Sequence, residues 1–575
     1  MSQATSGLPA TLDSAGRPKP RTLFGHPLGL FILFFTEMWE RFSFYSMRGI
    51  LVLYMTNVLL VAGGHADQIY GAYLGFVYAA TFIGGMLADR LLGQRRAIYI
   101  GGFLMSLAQF TLTTHALMIR GGHSYDSLMP MFFTGLGLLA CGNGFFKPNI
   151  STIVGTLYEA GDARRDSAFT IFYMGINIGA TAASFSGGIA EKWGWFIGYL
   201  LAGIGMIASL VIFFLGRHSI AGSGLPPQGA TLVGGRFGIP NGLLLLVGVC
   251  AFIPLAGYMM ARPAWVQDLA LYISVPVLAY LLWEAARPFH KQAGTSAGGS
   301  TITAIVVALL GFALFVAYQA SAPRQLAVGT LTLTLPAYAW IAPLVLMLAC
   351  IIWLISRGVR TEEGGRMVVI VVLCCFSMLF WGFFELAGST ITRFTQQRID
   401  RMLFGWEVPA AWLVNFVNPF LIILLSIPFS WLWVWLDRKK LEPSSPFKFA
   451  MGLVQLGLGF LSLWAGAAHA GDTGKCSMSW LVLAFFLFTT GELCLSPVGL
   501  SMITKLSPAR LVGMFMGVWF LASALANVFA GKIGGMTQES GFAAVFLLIA
   551  GITGAAAVVL FILAPMLKKI MHGVR

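Results

Sequence analysis

Long apolar runs alternate with short polar connections along this chain, and that rhythm predicts its architecture. Nearly uncharged stretches of about 20 residues, enough to cross roughly 30 Å of hydrocarbon as helix, recur from Phe31 to Leu567. Six lie near 28–57, 68–92, 97–118, 128–157, 167–190 and 194–216, and six more near 368–392, 410–436, 447–469, 479–503, 511–531 and 541–567. Four further apolar runs fall between the sets, near 241–261, 267–285, 301–320 and 336–356, the second carrying Asp268 and Glu284. Sixteen crossings are therefore expected, with two inserted spans instead of four as the alternative. Strand-length alternation does not appear, which disfavours a barrel.

Composition sharpens this picture. Of 575 residues 58% are hydrophobic and 10% charged, with a mean hydropathy of +0.81. A water-facing surface cannot be built from so little polarity, so the bilayer is the main solvent. The net charge of +14 would raise nucleic acid as a partner in a soluble protein. Here it sits in loops and span ends, and no nucleic acid is expected. The 7 cysteines have neither metal-ligand nor disulfide-framework spacing. Residues 1–22, rich in Ser, Pro, Gly and Ala, read as a disordered cytoplasmic tail rather than a cleavable signal peptide.

The charges also orient the spans, because cytoplasmic loops hold the excess of Lys and Arg. With the N-terminus inside, 24 of the 36 basic residues fall in inside loops or span ends and 9 outside. Both termini are expected to face the cytoplasm, and an odd number of spans is disfavoured.

The remaining charges lie where lipid would penalise them. The first span carries Glu37, Glu40, Arg41 and Arg48, although an ionised residue costs roughly 2.5 to 3.5 kcal/mol at a helix centre. Positions 40, 41, 44, 45 and 48 follow 37 at helical spacing, so the four charges share one stripe with Phe44 and Tyr45. Such a face must look into a hydrated cavity or pair with other helices. A buried ion-pair network that only fixes packing would explain the stripe, but not Lys147, Glu385 and Glu492 alone in distant spans. Deep basic groups belong to the first half, while the second supplies acids only, a dipolar chamber suited to a zwitterion. Asn177, Asn418, Ser523 and Tyr78 taken singly are as well explained by interhelical packing.

These residues fall in motifs. Glu37-Met38-Trp39-Glu40-Arg41-Phe42 resembles the ExxERF signature of the proton-dependent oligopeptide transporters, a branch of the major facilitator superfamily. Gly84-Gly85-Met86-Leu87-Ala88-Asp89-Arg90 is similar to the superfamily's loop motif. Phe145 to Asn149, Phe172 to Gly179, Asn418-Pro419 and Gly491 to Leu500 resemble further family motifs in the family's order, across both halves. The implied fold is an all-α polytopic membrane protein of the major facilitator type. Its divisions would be an N-terminal six-helix bundle (23–216), an inserted linker with two to four extra helices (217–367) and a C-terminal six-helix bundle (368–575).

The resemblance also assigns roles. Arg41, Tyr45 and Lys147 would hold a peptide carboxylate; Asn177, Asn418 and Glu492 would receive the amino end. Glu37 and Glu40, with Arg41, would carry proton coupling. Arg48 with Glu385, and Lys147 with Glu492, would be gating salt bridges, and Tyr78, Trp519 and Ser523 would line the cavity. Three positions depart from the family pattern: Phe44 beside Tyr45 in place of paired tyrosines, Ser46, and Leu386 after Glu385.

The expected activity is proton-coupled import of di- and tripeptides by alternating access, with nitrate or amino acids as the alternative cargo. The proton gradient would drive it, with no cofactor or metal, in a lipid-embedded monomer of the plasma (inner) membrane. A membrane enzyme would need a nucleophile–base pair or a ligand cluster, and neither is found. A peptide receptor that moves nothing is distinguished only by uptake against a gradient.

Overall fold

The computed structural model describes residues 22–159, 162, 164–220, 222–234, 239–270, 325–328, 331–334, 362–470, 474–507 and 512–572. The first half contains α1 (Leu28–Asn57), α2 (Gly63–Leu87), α3 (Gln94–Arg120), α4 (Tyr125–Thr156), α5 (Arg164–Trp193) and α6 (Trp195–Leu215). Among the described residues, one complete inserted helix follows, α7 (Asn241–Met260). The second half contains α8 (Glu362–Phe384), α9 (Thr390–Arg398), α10 (Ala410–Arg438), α11 (Ser445–Ala468), α12 (Met478–Leu506), α13 (Val512–Gly535) and α14 (Thr537–Ile570).

Eleven of the described helices are long and apolar enough to span a membrane. The 30-residue α1 is long enough too, but carries the four charges of the stripe. Observed helices match the apolar runs to within a few residues, with one correction. The run expected at 368–392 is broken: a 3₁₀ turn at Glu385–Gly388 ends α8, and α9 begins as a separate amphipathic helix. Its Arg393, Gln396, Gln397 and Arg398 are too polar to continue a lipid-facing span. Of the inserted runs, α7 accounts for the first; the third, the fourth and most of the second lie outside the described residues. Between the last two, Gln325–Val328 and Leu331–Thr334 form an antiparallel hairpin.

The two halves repeat one packing scheme. In the first, α1 packs on α5 and α6, α2 on α4, and α3 on α4 and α6. In the second, α8 packs on α13 and α14, α10 on α12, and α11 on α12 and α14. Advancing every first-half span by six reproduces the second set, so the halves are internal repeats of the kind found in transporter folds. Each half has its own apolar core. They meet along two seams, α2 on α13 and α5 on α10, which the same six-span operation interchanges.

Close backbone approach marks the first seam. A Cβ on Gly71 of α2 would lie 2.6 Å from the Asn527 carbonyl and 2.8 Å from the Cα of Gly531, so only glycine fits there. The end at which α1 finishes, called here the distal end, also holds the starts of α2, α10 and α14 and the ends of α5 and α13. α7 packs on α4.

Candidate functional site

The α1 stripe is almost wholly buried: Glu40 is fully buried, and Glu37 and Arg41 are each 2% exposed. One helix supplies both the cation and its partners. Arg41 Nη2 donates to Glu40 Oε1 at 2.6 Å, its Nε donates to Glu40 Oε2, and Nε lies 3.2 Å from Glu37 Oε1. Asn143 of α4 donates Nδ2 to Glu40 Oε1 at 3.5 Å. Its Oδ1 and Glu37 Oε2 are buried without a hydrogen-bond partner. Behind the stripe, Gln109 of α3 donates to Ser43 Oγ at 3.3 Å. The guanidinium of Arg41 rests 5.1 Å from the Phe44 ring, an aromatic face supplied where the family pattern has tyrosine.

Two turns further along α1, Arg48 reaches the other half. It forms the expected ion pair with Glu385, donates Nε to the Tyr70 hydroxyl at 2.6 Å, and lies over the Tyr45 ring at 5.4 Å. Tyr78 donates to Glu385 Oε1 at 3.4 Å, and the Lys147 ammonium sits 5.1 Å over the Tyr78 ring. Lys147 is within electrostatic reach of Glu37, Glu40, Arg41 and Glu385. It therefore stands between the α1 cluster and the interhalf pair.

The expected Lys147–Glu492 bridge is not formed in this arrangement. Glu492 is instead held by neutral donors: Asn418 Nδ2 at 3.1 Å and the Tyr173 hydroxyl at 3.3 Å. Asn418 also bonds Thr489 at 3.0 Å. With Glu492 held by these groups, Lys147 lies instead over the Tyr78 ring and within electrostatic reach of the α1 acids. Asn177 does not bond Glu492 itself but donates to the Tyr173 carbonyl at 3.0 Å, one turn away on α5. Trp519 and Ser523 lie a turn apart on α13, where the serine hydroxyl donates to the Trp519 carbonyl at 3.0 Å. Arg41, Glu37, Glu40, Lys147, Arg48, Glu385, Tyr78 and Tyr45 thus form one connected region; Glu492, Asn418, Tyr173 and Asn177 form another.

A second interhalf pair, with no local signature in the sequence, closes at the distal end. Arg393 of α9 donates Nε to Asp67 Oδ1 at 3.1 Å and Nη2 to Asp67 Oδ2 at 2.6 Å. Thr390 donates to Asp67 Oδ2 at 2.8 Å, and Arg393 Nη2 also donates to Thr537 Oγ1 at 2.6 Å. Asp67 is fully buried and Arg393 is 5% exposed, so every polar atom of this four-residue knot needs the others. Tyr173 likewise has no local signature of its contact, although it lies inside the motif around Asn177.

A cation bound bidentately by an acid on its own helix is a switchable group. Protonating that acid removes one negative charge and loosens the cation without moving any helix. The interhalf pairs behave differently, since they require both halves in place.

Comparison with known proteins bears on this site. The family profile described as PTR2, POT family, matches residues 95–228 and 289–549. The chain is 34% identical over 530 residues to the peptide transporter YePEPT of Yersinia enterocolitica subsp. palearctica, covering 91% of this chain and 90% of that protein. It is 30% identical over 567 residues to a di-/tripeptide transporter of Lactococcus lactis subsp. lactis, covering 96% and 98%. Among solved structures, it is similar to a crystal structure of the peptide transporter POT in complex with sulfate, at TM-score 0.69 and 31% identity, covering 96% of this chain and 98% of that one.

Proposed function

The chain belongs to the POT family, and from that premise we propose that it is a proton-coupled symporter importing di- and tripeptides by alternating access. It is a multi-pass membrane transporter and not an enzyme. One observation carries the mechanism: Arg41 is occupied by Glu40 and Glu37 on its own helix, with Lys147 of the same half within electrostatic reach.

A proton taken up by Glu40 releases Arg41 to receive the carboxylate of an incoming peptide. Lys147, beside the same cluster, adds the second positive charge, and Tyr45 lies on the same stripe. Across the cavity Glu492, aided by Asn418 and by Asn177 through Tyr173, receives the amino end; Tyr78, Trp519 and Ser523 complete the lining. Arg48–Glu385 holds the distal end closed, and Lys147–Glu492 is a bridge of another state in the cycle.

The excess of basic residues supports an N-terminus inside, so the distal end faces outward and the structure is the outward-closed arrangement. We place the protein in the plasma (inner) membrane with both termini cytoplasmic, working as a monomer. The proton gradient is its driving force, with no cofactor. One proton moving down about 100 mV yields about 2.3 kcal/mol, and one pH unit adds about 1.4. At about 1.4 kcal/mol per tenfold, a single proton sustains a gradient of roughly several hundredfold for a neutral peptide.

Protein in liposomes should concentrate a labelled dipeptide when an inward proton gradient is imposed, and Glu40→Gln should lose that accumulation while retaining counterflow exchange. Normal accumulation by Glu40→Gln would remove Glu40 as the coupling site. Absence of peptide uptake by the unsubstituted protein would remove the cargo.

A further inference from the structure

At the distal end each half closes a helix that belongs to the other. The first N–H groups of any α-helix lack intrahelical partners and are usually satisfied by a neighbouring side chain of the same segment. Neither α2 nor α10 has such a cap: the preceding residues, Ala62 and Pro409, make no side-chain cap bond. For α10 the bonds come from α5. Glu191 accepts the Ala410 N–H at 3.2 Å through Oε2 and the Ala411 N–H at 2.5 Å through Oε1. For α2 the bond comes from α14, where Gln538 Oε1 accepts the Gly64 N–H at 3.1 Å.

The six-span repeat relates these two contacts. Advancing α2 by six spans gives α10, and advancing the α5–α6 junction gives the α13–α14 junction. The caps are therefore images of one another, a carboxylate in one seam and an amide in the other. Only the carboxylate adds a full negative charge to the positive end of the helix dipole and makes charge-assisted bonds to two amides. Around it, the Lys192 ammonium stacks 4.2 Å over Trp406, Phe185 meets Trp412 edge-on at 6.2 Å, and Arg401 and Glu407 lie within electrostatic reach.

We propose that Glu191 is a gating residue of the transport cycle, a latch that caps α10 from across the α5–α10 seam and holds the distal end shut, with Gln538 as its weaker uncharged counterpart in the α2–α13 seam. Both caps join atoms of opposite halves, so opening this end breaks them and returns the helix N-termini to water. The latch's part in transport rests on the alternating-access reading above; its part in closure does not.

Spin labels at His123→Cys and Phe404→Cys, on exposed distal loops of the two halves, report that closure by their separation in a background without native cysteines. Without substrate or gradient, Glu191→Ala should raise the long-distance population at least about fivefold. Glu191→Gln, which keeps an acceptor like Gln538, should fall between Glu191→Ala and the parent, and Gln538→Ala should shift it less than Glu191→Ala. Unchanged distances in both Glu191→Ala and Glu191→Gln would overturn the latch, and the milder variant decides the matter should the alanine variant fail to fold. Failure of the unsubstituted protein to move peptide would refute the transport reading and leave this measurement standing.

Discussion

Two sets of buried charges lie in the interior of this molecule, and they are satisfied in opposite ways. On α1, Arg41 is paired by Glu40 and Glu37 of the same helix, so the cluster is complete inside one half. Between the halves, Arg48 meets Glu385 and Arg393 meets Asp67, each pair joining one half to the other. A proton can rearrange the first set while every helix stays where it is. The second set records how the halves are placed and changes only when they move. Coupling needs a connection between the two, and the structure offers one: Arg41 and Arg48 share a stripe, and Lys147 is within reach of Glu40 and Glu385 alike.

The contrast can be broken experimentally, beginning with its strongest element. Arg41→Ala leaves Glu37 and Glu40 buried without the cation that pairs them, and removing one partner of a buried pair costs about 3–5 kcal/mol. Peptide affinity measured by calorimetry should fall by more than about a hundredfold. Retained affinity would mean that Arg41 is structural and does not receive peptide.

The interhalf pairs should respond to partner exchange in a way the α1 cluster cannot. Asp67→Ala or Arg393→Ala alone should lower thermal stability and open the distal end, again by about 3 kcal/mol or more. Asp67→Arg combined with Arg393→Asp should recover part of the loss, because the pair's two charges are reinstated between the halves. If the double variant is no more stable than the singles, the pair is not the element that holds this end.

The smallest effect is expected at Asn143, whose single long hydrogen bond to Glu40 is worth about 1 kcal/mol. Asn143→Ala should move the pH profile of proton-driven uptake by under about one unit and leave counterflow intact. A profile identical to the parent's would show that Glu40 takes no orientation from α4.

Much of this was legible along the chain. Apolar runs located α1 to α7 and the second-half spans, because a segment enters the bilayer largely on its own transfer free energy. Glu37, Glu40, Arg41 and Arg48 stood out since a charge in such a run is costly wherever it later packs. Asp67 and Arg393 did not stand out. One precedes the expected second span and the other follows the expected end of the seventh, so each passed for an ordinary loop charge. Positions 326 residues apart carry no local sign that they will meet. Tyr173 and Glu191 were silent for the same reason: their partners, Glu492 and the start of α10, lie in the other half.

By itself the sequence determined the solvent, the helices and the helical stripe on which the charges ride, all of which follow from hydrophobicity and the 3.6-residue period acting within single segments. Tertiary structure alone decided what closes on what between the halves: that Arg393 meets Asp67, that Lys147 stays away from Glu492, and that Glu191 caps a helix 220 residues away. Those choices depend on the relative placement of two packed halves, and electrostatic partners between them are set by that geometry rather than by any property of the residues taken one at a time.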